Sequence, residues 1–151
     1  MKKYILLLLT ICCISTILYM SSKPGEESSK TSLAVVNVIS ETFHLNPVQK
    51  DVVHFMVRKA AHFTEYFILS FLVTATYSEF FNRKLNVSFI LLVCVLVAIS
   101  DEFLQSFIEG RGSQVRDVII DFSGSSLQLL MYLMLGLAFK QKKGLYVERR
   151  Y

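Results

Sequence analysis

The sequence is poor in the residues that break or solvate a chain. Charged residues make up 19% of the 151 positions, and there are six glycines and two prolines. That scarcity excludes disorder, a collagen-like repeat and a low-complexity linker. Cysteine is scarce too, with three residues. Cys12 and Cys13 are adjacent inside one apolar run and Cys94 lies inside another. None has the spacing of a metal motif or a secreted disulfide framework. No basic patch stands apart from the apolar runs, so the net charge of +4 does not point to nucleic acid. Internal repeats, a nucleophile elbow and a Ser–His–Asp order are also missing.

What is present is apolar. Hydrophobic residues make up 53% of the chain, and mean hydropathy is +0.48. A soluble domain of this size rarely has so few polar residues to cover it. The length allows one domain over 1–151. The expected fold is all-α: a four-transmembrane-helix bundle with spans at about 4–20, 57–77, 85–108 and 118–139. Each span is near the ~20 residues a helix needs to cross the hydrocarbon core. Tyr19-Met20 is too bulky for a signal-peptide cleavage site, so the first span is expected to remain as an anchor.

The basic residues set an orientation. Lys2, Lys3, Arg83, Lys84, Lys140, Lys142, Lys143, Arg149 and Arg150 flank the spans on one side. Both termini are therefore expected in the cytoplasm, with loops 21–56 and 109–117 outside. In the first loop, Ser21–Gly25 reads as a turn. Leu33, Val36, Ile39 and Phe43 are spaced for a short interfacial helix over 32–43. Asn46, Pro47 and Gln49 read as a cap, first helical residue and capping-box partner of the next helix.

Ionisable residues inside a span cost about 2.5–3.5 kcal/mol each on insertion scales. This chain has several, all toward the outer ends. His54, Arg58, His62 and Glu65 fall within roughly 80° of arc on one helix. Asp117, Asp121, Ser125 and Gln128 repeat the same offsets on another, and Asp101 and Gln105 share a face beside Glu102. The expected ligand-binding set is Arg58, His62, Glu65, Asp101, Glu102, Gln105, Arg111, Asp117 and Asp121. The inner halves are almost purely apolar, which predicts an outward polar pocket with a sealed floor and no channel. A plainer reading is that Arg58 pairs with Asp101 or Asp121 and locks the helices. Ser70 and Thr74 are expected to bond back to their own helix.

His62 and Glu65 stand three apart, and Asp101, Glu102 and Asp121 could add oxygen ligands to a metal. No HExxH or paired ExxH motif accompanies them, so no metal and no other cofactor is expected. His44 and His54 read as interfacial residues.

Arg58-Lys59-Ala60-Ala61-His62-Phe63-Thr64-Glu65-Tyr66 resembles the first signature of the VanZ-like family. Ser100–Phe107 with Gly110-Arg111 resembles the second, and Asp117–Asp121 with Gly124 the third. Ser21–Gly25 is similar to a weaker pattern of the same family. Asp121 departs from a frequent Asn, and Gln128 from a small residue. The resemblance implies a bacterial multi-pass membrane protein associated with resistance to the glycopeptide teicoplanin. Three functions compete. The first is an outward pocket for an anionic envelope lipid or peptidoglycan precursor. The second is a membrane enzyme with Glu65, Asp101 or His62 as its acid–base groups. The third is a structural scaffold. Membrane lipids are the expected partners in each, and the oligomeric state is open.

Overall fold

The computed structural model describes residues 1–81 and 85–148, without the side chains of Thr31 and of 138–148. Arg83, Lys84, Arg149 and Arg150 thus lie outside the described residues, as do the side chains of Lys140, Lys142 and Lys143. Five helices follow one another: α1 Lys2–Ser21, α2 Gly25–Phe43, α3 Pro47–Phe81, α4 Val87–Gln105 and α5 Val115–Glu148. No strand occurs among the described residues.

Three helices are long and apolar enough to cross a membrane by length and composition: α1, α4 and the Val115–Leu137 part of α5. Large apolar side chains cover their surfaces, among them Leu8, Leu92, Leu96 and Leu135, each more than half exposed. An apolar solvent removes the penalty that water would impose on that surface. The expected span 57–77 falls within α3, which does not reach the same apolar standard. Four spans are therefore not established. The reason lies in the charged first half of α3, from Lys50 to Glu65.

The short helix expected over 32–43 is a full helix from Gly25, and it packs on α3. Of the predicted apolar stripe, Val36 is buried and Ile39 half-buried, whereas Leu33 and Phe43 are exposed, so only its middle packs, together with Ser40. Placement of α2 at a membrane interface is not established. His44 ends the helix in the left-handed region, with φ 51°. Asn46 then caps α3 as expected. Its Oδ1 accepts from Gln49 N, and Asn46 N donates to Gln49 Oε1, both at 2.9 Å.

The core lies between α1, α3, α4 and α5. Ile17, Tyr66, Leu69, Val73, Ile90, Cys94, Ala98 and Leu129 form one buried cluster. The most extensive contact is between α3 and α5. Gly124 makes it possible, because a Cβ there would run into the Phe63 carbonyl. A second close approach joins the α1–α2 turn to the loop between α4 and α5. Gly25 N donates to Glu109 O at 3.1 Å, and a Cβ on Gly25 would strike Gly110 O. The turn between α1 and α2 is thereby pressed onto the loop between α4 and α5.

Candidate functional site

The polar residues sort into three groups by what they touch. The first holds the bundle together. Lys59 Nζ donates to Asp117 Oδ1 at 2.5 Å, joining α3 to α5 with both side chains largely covered. Arg58 makes no such pair, so the expected lock between Arg58 and Asp101 or Asp121 is replaced by its neighbour. Helical geometry explains the exchange, since one residue turns the side chain by about 100°. Ser70 and Thr74 also differ from expectation. Ser70 Oγ donates to Gln128 Oε1 at 2.9 Å and lies 3.2 Å from Ser125 O. Thr74 Oγ1 lies 3.5 Å from the same Gln128 oxygen. The inner half of the α3–α5 seam is thus a hydrogen-bonded one.

The second group fastens the loop between α4 and α5. Glu102 Oε2 accepts from Gln114 N at 2.8 Å. Gln105 Nε2 donates to Ser21 Oγ and Asp101 Oδ2, each at 3.2 Å. Arg111 reaches back to α1: Nη2 donates to Met20 O at 2.8 Å and Nε to Lys23 O at 3.2 Å. A cation there also meets the negative end of the α1 dipole. Glu102, Gln105 and Asp117 are therefore engaged by the protein, although sequence spacing placed them with the ligand-binding set.

The third group faces open space. Arg58, His62, Glu65 and Arg111 line a cleft of about 240 Å³ between α1, α2, α3 and the α4–α5 loop. Lys23 is on its rim but is held by Glu27 at 2.6 Å. Burial and the nearby Arg58 charge push the Arg111 guanidinium down from its ordinary value. Two like charges turned to one cleft favour an anion between them. Ser32 closes the outer side through an Oγ–His54 Nε2 hydrogen bond of 2.8 Å, so His54 joins α2 to α3.

Below the cleft, His62 on α3, Asp101 on α4 and Asp121 on α5 come together. One ligand-type atom from each lies within 4.8 Å of the others. Both Asp side chains are at 0% exposure. His62 Nδ1 is 3.6 Å from Asp121 Oδ1, too long for a hydrogen bond. Tyr66, one helical turn from His62, is fully buried with its hydroxyl unpartnered.

The model of the VanZ/LLP1 family matches residues 6–136. That is most of the 151-residue chain. The chain belongs to the VanZ/LLP1 family. With three helices apolar enough to cross a bilayer, this VanZ/LLP1 member is a membrane protein. No curated protein and no solved structure matches it.

The three sequence signatures of this VanZ/LLP1 chain meet at one end of the bundle. The first supplies Arg58, His62 and Glu65 to the cleft and Lys59 to the helix seam. The second supplies Asp101 and Arg111, and the third Asp117, Asp121 and Gly124. Sequence reasoning missed Lys59 and Ser21. Ser21 lines the cleft and accepts from Gln105. Lys59 had a usable signal, since it lies inside the first family signature and a cation in an expected span calls for a counter-charge. Ser21 lay in the weaker family pattern, but its partner, 84 residues away, was not legible from spacing.

Proposed function

We propose that the cleft opens to the outside of a bacterial cell membrane and binds the anionic head group of an envelope lipid or peptidoglycan precursor. In this reading α3 is the remaining span, α2 lies at the outer interface, and both termini are cytoplasmic. One observation carries it: Arg58 and Arg111 share a small cleft with His62 and a single acid, Glu65. Arg forms bidentate bonds to phosphate and carboxylate. Arg111 is already steadied by two backbone carbonyls, so little side-chain entropy remains to be lost on binding. A volume of about 240 Å³ is below the roughly 300–1,000 Å³ of sites for drug-sized ligands. The cleft suits a head group and not a whole glycopeptide. Teicoplanin resistance would then come from sequestering or presenting the antibiotic's target.

The test is teicoplanin susceptibility in a sensitive host at matched membrane levels of wild type, Arg58→Lys and Arg58→Ala. Increased resistance with wild type, partial with Lys and absent with Ala, supports the proposal. Equal susceptibility of wild type and empty host contradicts the resistance role.

A second reading, an enzyme acting on a lipid-linked substrate, is favoured by the unpartnered acids beneath the cleft. It predicts that Glu65→Gln abolishes function at normal membrane levels, and that a new lipid or precursor species forms only with wild type.

A further inference from the structure

We propose that His62, Asp101 and Asp121 form a binding site for one divalent transition-metal ion, of the zinc or manganese class, at the junction of α3, α4 and α5. The three residues come from three helices, so no linear motif records the site, and without such a motif no metal is expected from the sequence.

Two independent observations support the assignment. The first is position. One imidazole nitrogen of His62 and one carboxylate oxygen from each Asp lie within 4.8 Å of one another. Ligands to a shared ion at about 2.0–2.2 Å sit roughly 3–3.6 Å apart across it. The 3.6 Å between His62 Nδ1 and Asp121 Oδ1 matches that separation.

The second is the state of the donors. Asp121 Oδ1 and Oδ2, Asp101 Oδ1 and His62 Nδ1 are all buried without a hydrogen-bond partner. Asp101 and Asp121 have no exposed surface at all. Buried polar atoms are ordinarily satisfied, and two unpaired carboxylates at such depth are costly. Among the described residues no Lys or Arg forms an ion pair with either Asp; Lys59 is committed to Asp117. A dication satisfies all of these atoms at once. One imidazole nitrogen with two carboxylates suits zinc, manganese or iron more than the all-oxygen sets of calcium or magnesium. Gln105 donates to the remaining oxygen of Asp101 at 3.2 Å and would orient that ligand. The site does not depend on what the cleft binds.

The experiment uses the full chain, purified in mild detergent, stripped with EDTA and reloaded separately with ZnCl2, MnCl2 or CoCl2. Bound metal is measured by elemental mass spectrometry after desalting, and the cobalt form by its visible spectrum. Wild type should take up about one equivalent. Asp101→Asn, Asp121→Asn and His62→Gln should weaken uptake by more than the ~10–100-fold that outer-shell changes cost. His62→Gln should also change the cobalt spectrum, and metal should raise the Tm of wild type. Absence of uptake and of any Tm shift in the helical, monodisperse wild-type chain overturns the proposal, and that result needs no variant to fold. Uptake that survives His62→Gln with an unchanged cobalt spectrum overturns the ligand assignment.

Discussion

Arg58 and Lys59 are neighbours with different tasks, and the difference can be measured. Lys59 closes the seam with Asp117, whose side chain is 9% exposed. Removing one partner of a buried ion pair typically costs about 3–5 kcal/mol, and less where water still reaches it. Lys59→Met should therefore lower Tm clearly, and adding Asp117→Leu should recover much of the loss. Arg58→Met, with no partner to abandon, should leave Tm nearly unchanged. Thermal unfolding of wild type and the three variants in one detergent checks this. Arg111 is not replaceable by Lys, because a point charge cannot reach Met20 O and Lys23 O together as the planar guanidinium does. Arg111→Lys should speed proteolysis at the 22–25 and 106–114 loops, read by limited digestion of the purified chain.

At the scale of elements, the α3–α5 seam is the structural spine. Gly124 lets the Phe63 backbone approach, and Ser70, Ser125 and Gln128 bind across the seam further in. Gly124→Leu should destabilise by at least the ~1–3 kcal/mol of an overpacked core, because the obstacle is backbone. Gln128→Leu should cost about 0.5–1.5 kcal/mol by removing one of the two acceptors within reach of Ser70, with Ser125 O left at 3.2 Å, and Ser70→Ala in the same chain should reduce that penalty. A double-mutant cycle on Tm reads both. The extent of these helices was legible in the sequence where period and caps agreed. Asn46 and Gln49 marked the start of α3, and the apolar runs marked α1, α4 and α5. The polar stripe on α5 was legible as a stripe, but its division was not. Asp117, Asp121 and Gln128 share one face yet meet Lys59, His62 and Ser70 in turn. That outcome depends on the axial register of α3 against α5, which periodicity does not encode. The start of α2 at Gly25 was missed because Pro24-Gly25 reads equally as a turn. Pro24 is in fact the N-cap, with Glu26 and Glu27 in the first turn, where acids favour the helix dipole.

At the scale of the molecule, polarity is concentrated at one end. The cleft, the buried acids and the loop between α4 and α5 share it, while the clustered core from Ile17 to Leu129 fills the rest. The cleft is floored by the buried His62, Asp101 and Asp121, and the apolar cluster lies beyond them. The orientation read from the flanking cations predicts that a thiol placed at position 26 reacts with an impermeant reagent added outside intact cells. A thiol placed at position 2 should react only after lysis. The central claim is that the cleft recognises an anion through Arg58 and Arg111. Its most direct test is native mass spectrometry of the purified chain titrated with dioleoyl phosphatidic acid or dioleoyl phosphatidylcholine. The account predicts one retained phosphatidic acid per chain, weak retention of phosphatidylcholine, and loss of that preference in Arg58→Ala. Equal retention of the two lipids by wild type, or an unchanged preference in Arg58→Ala, would contradict it.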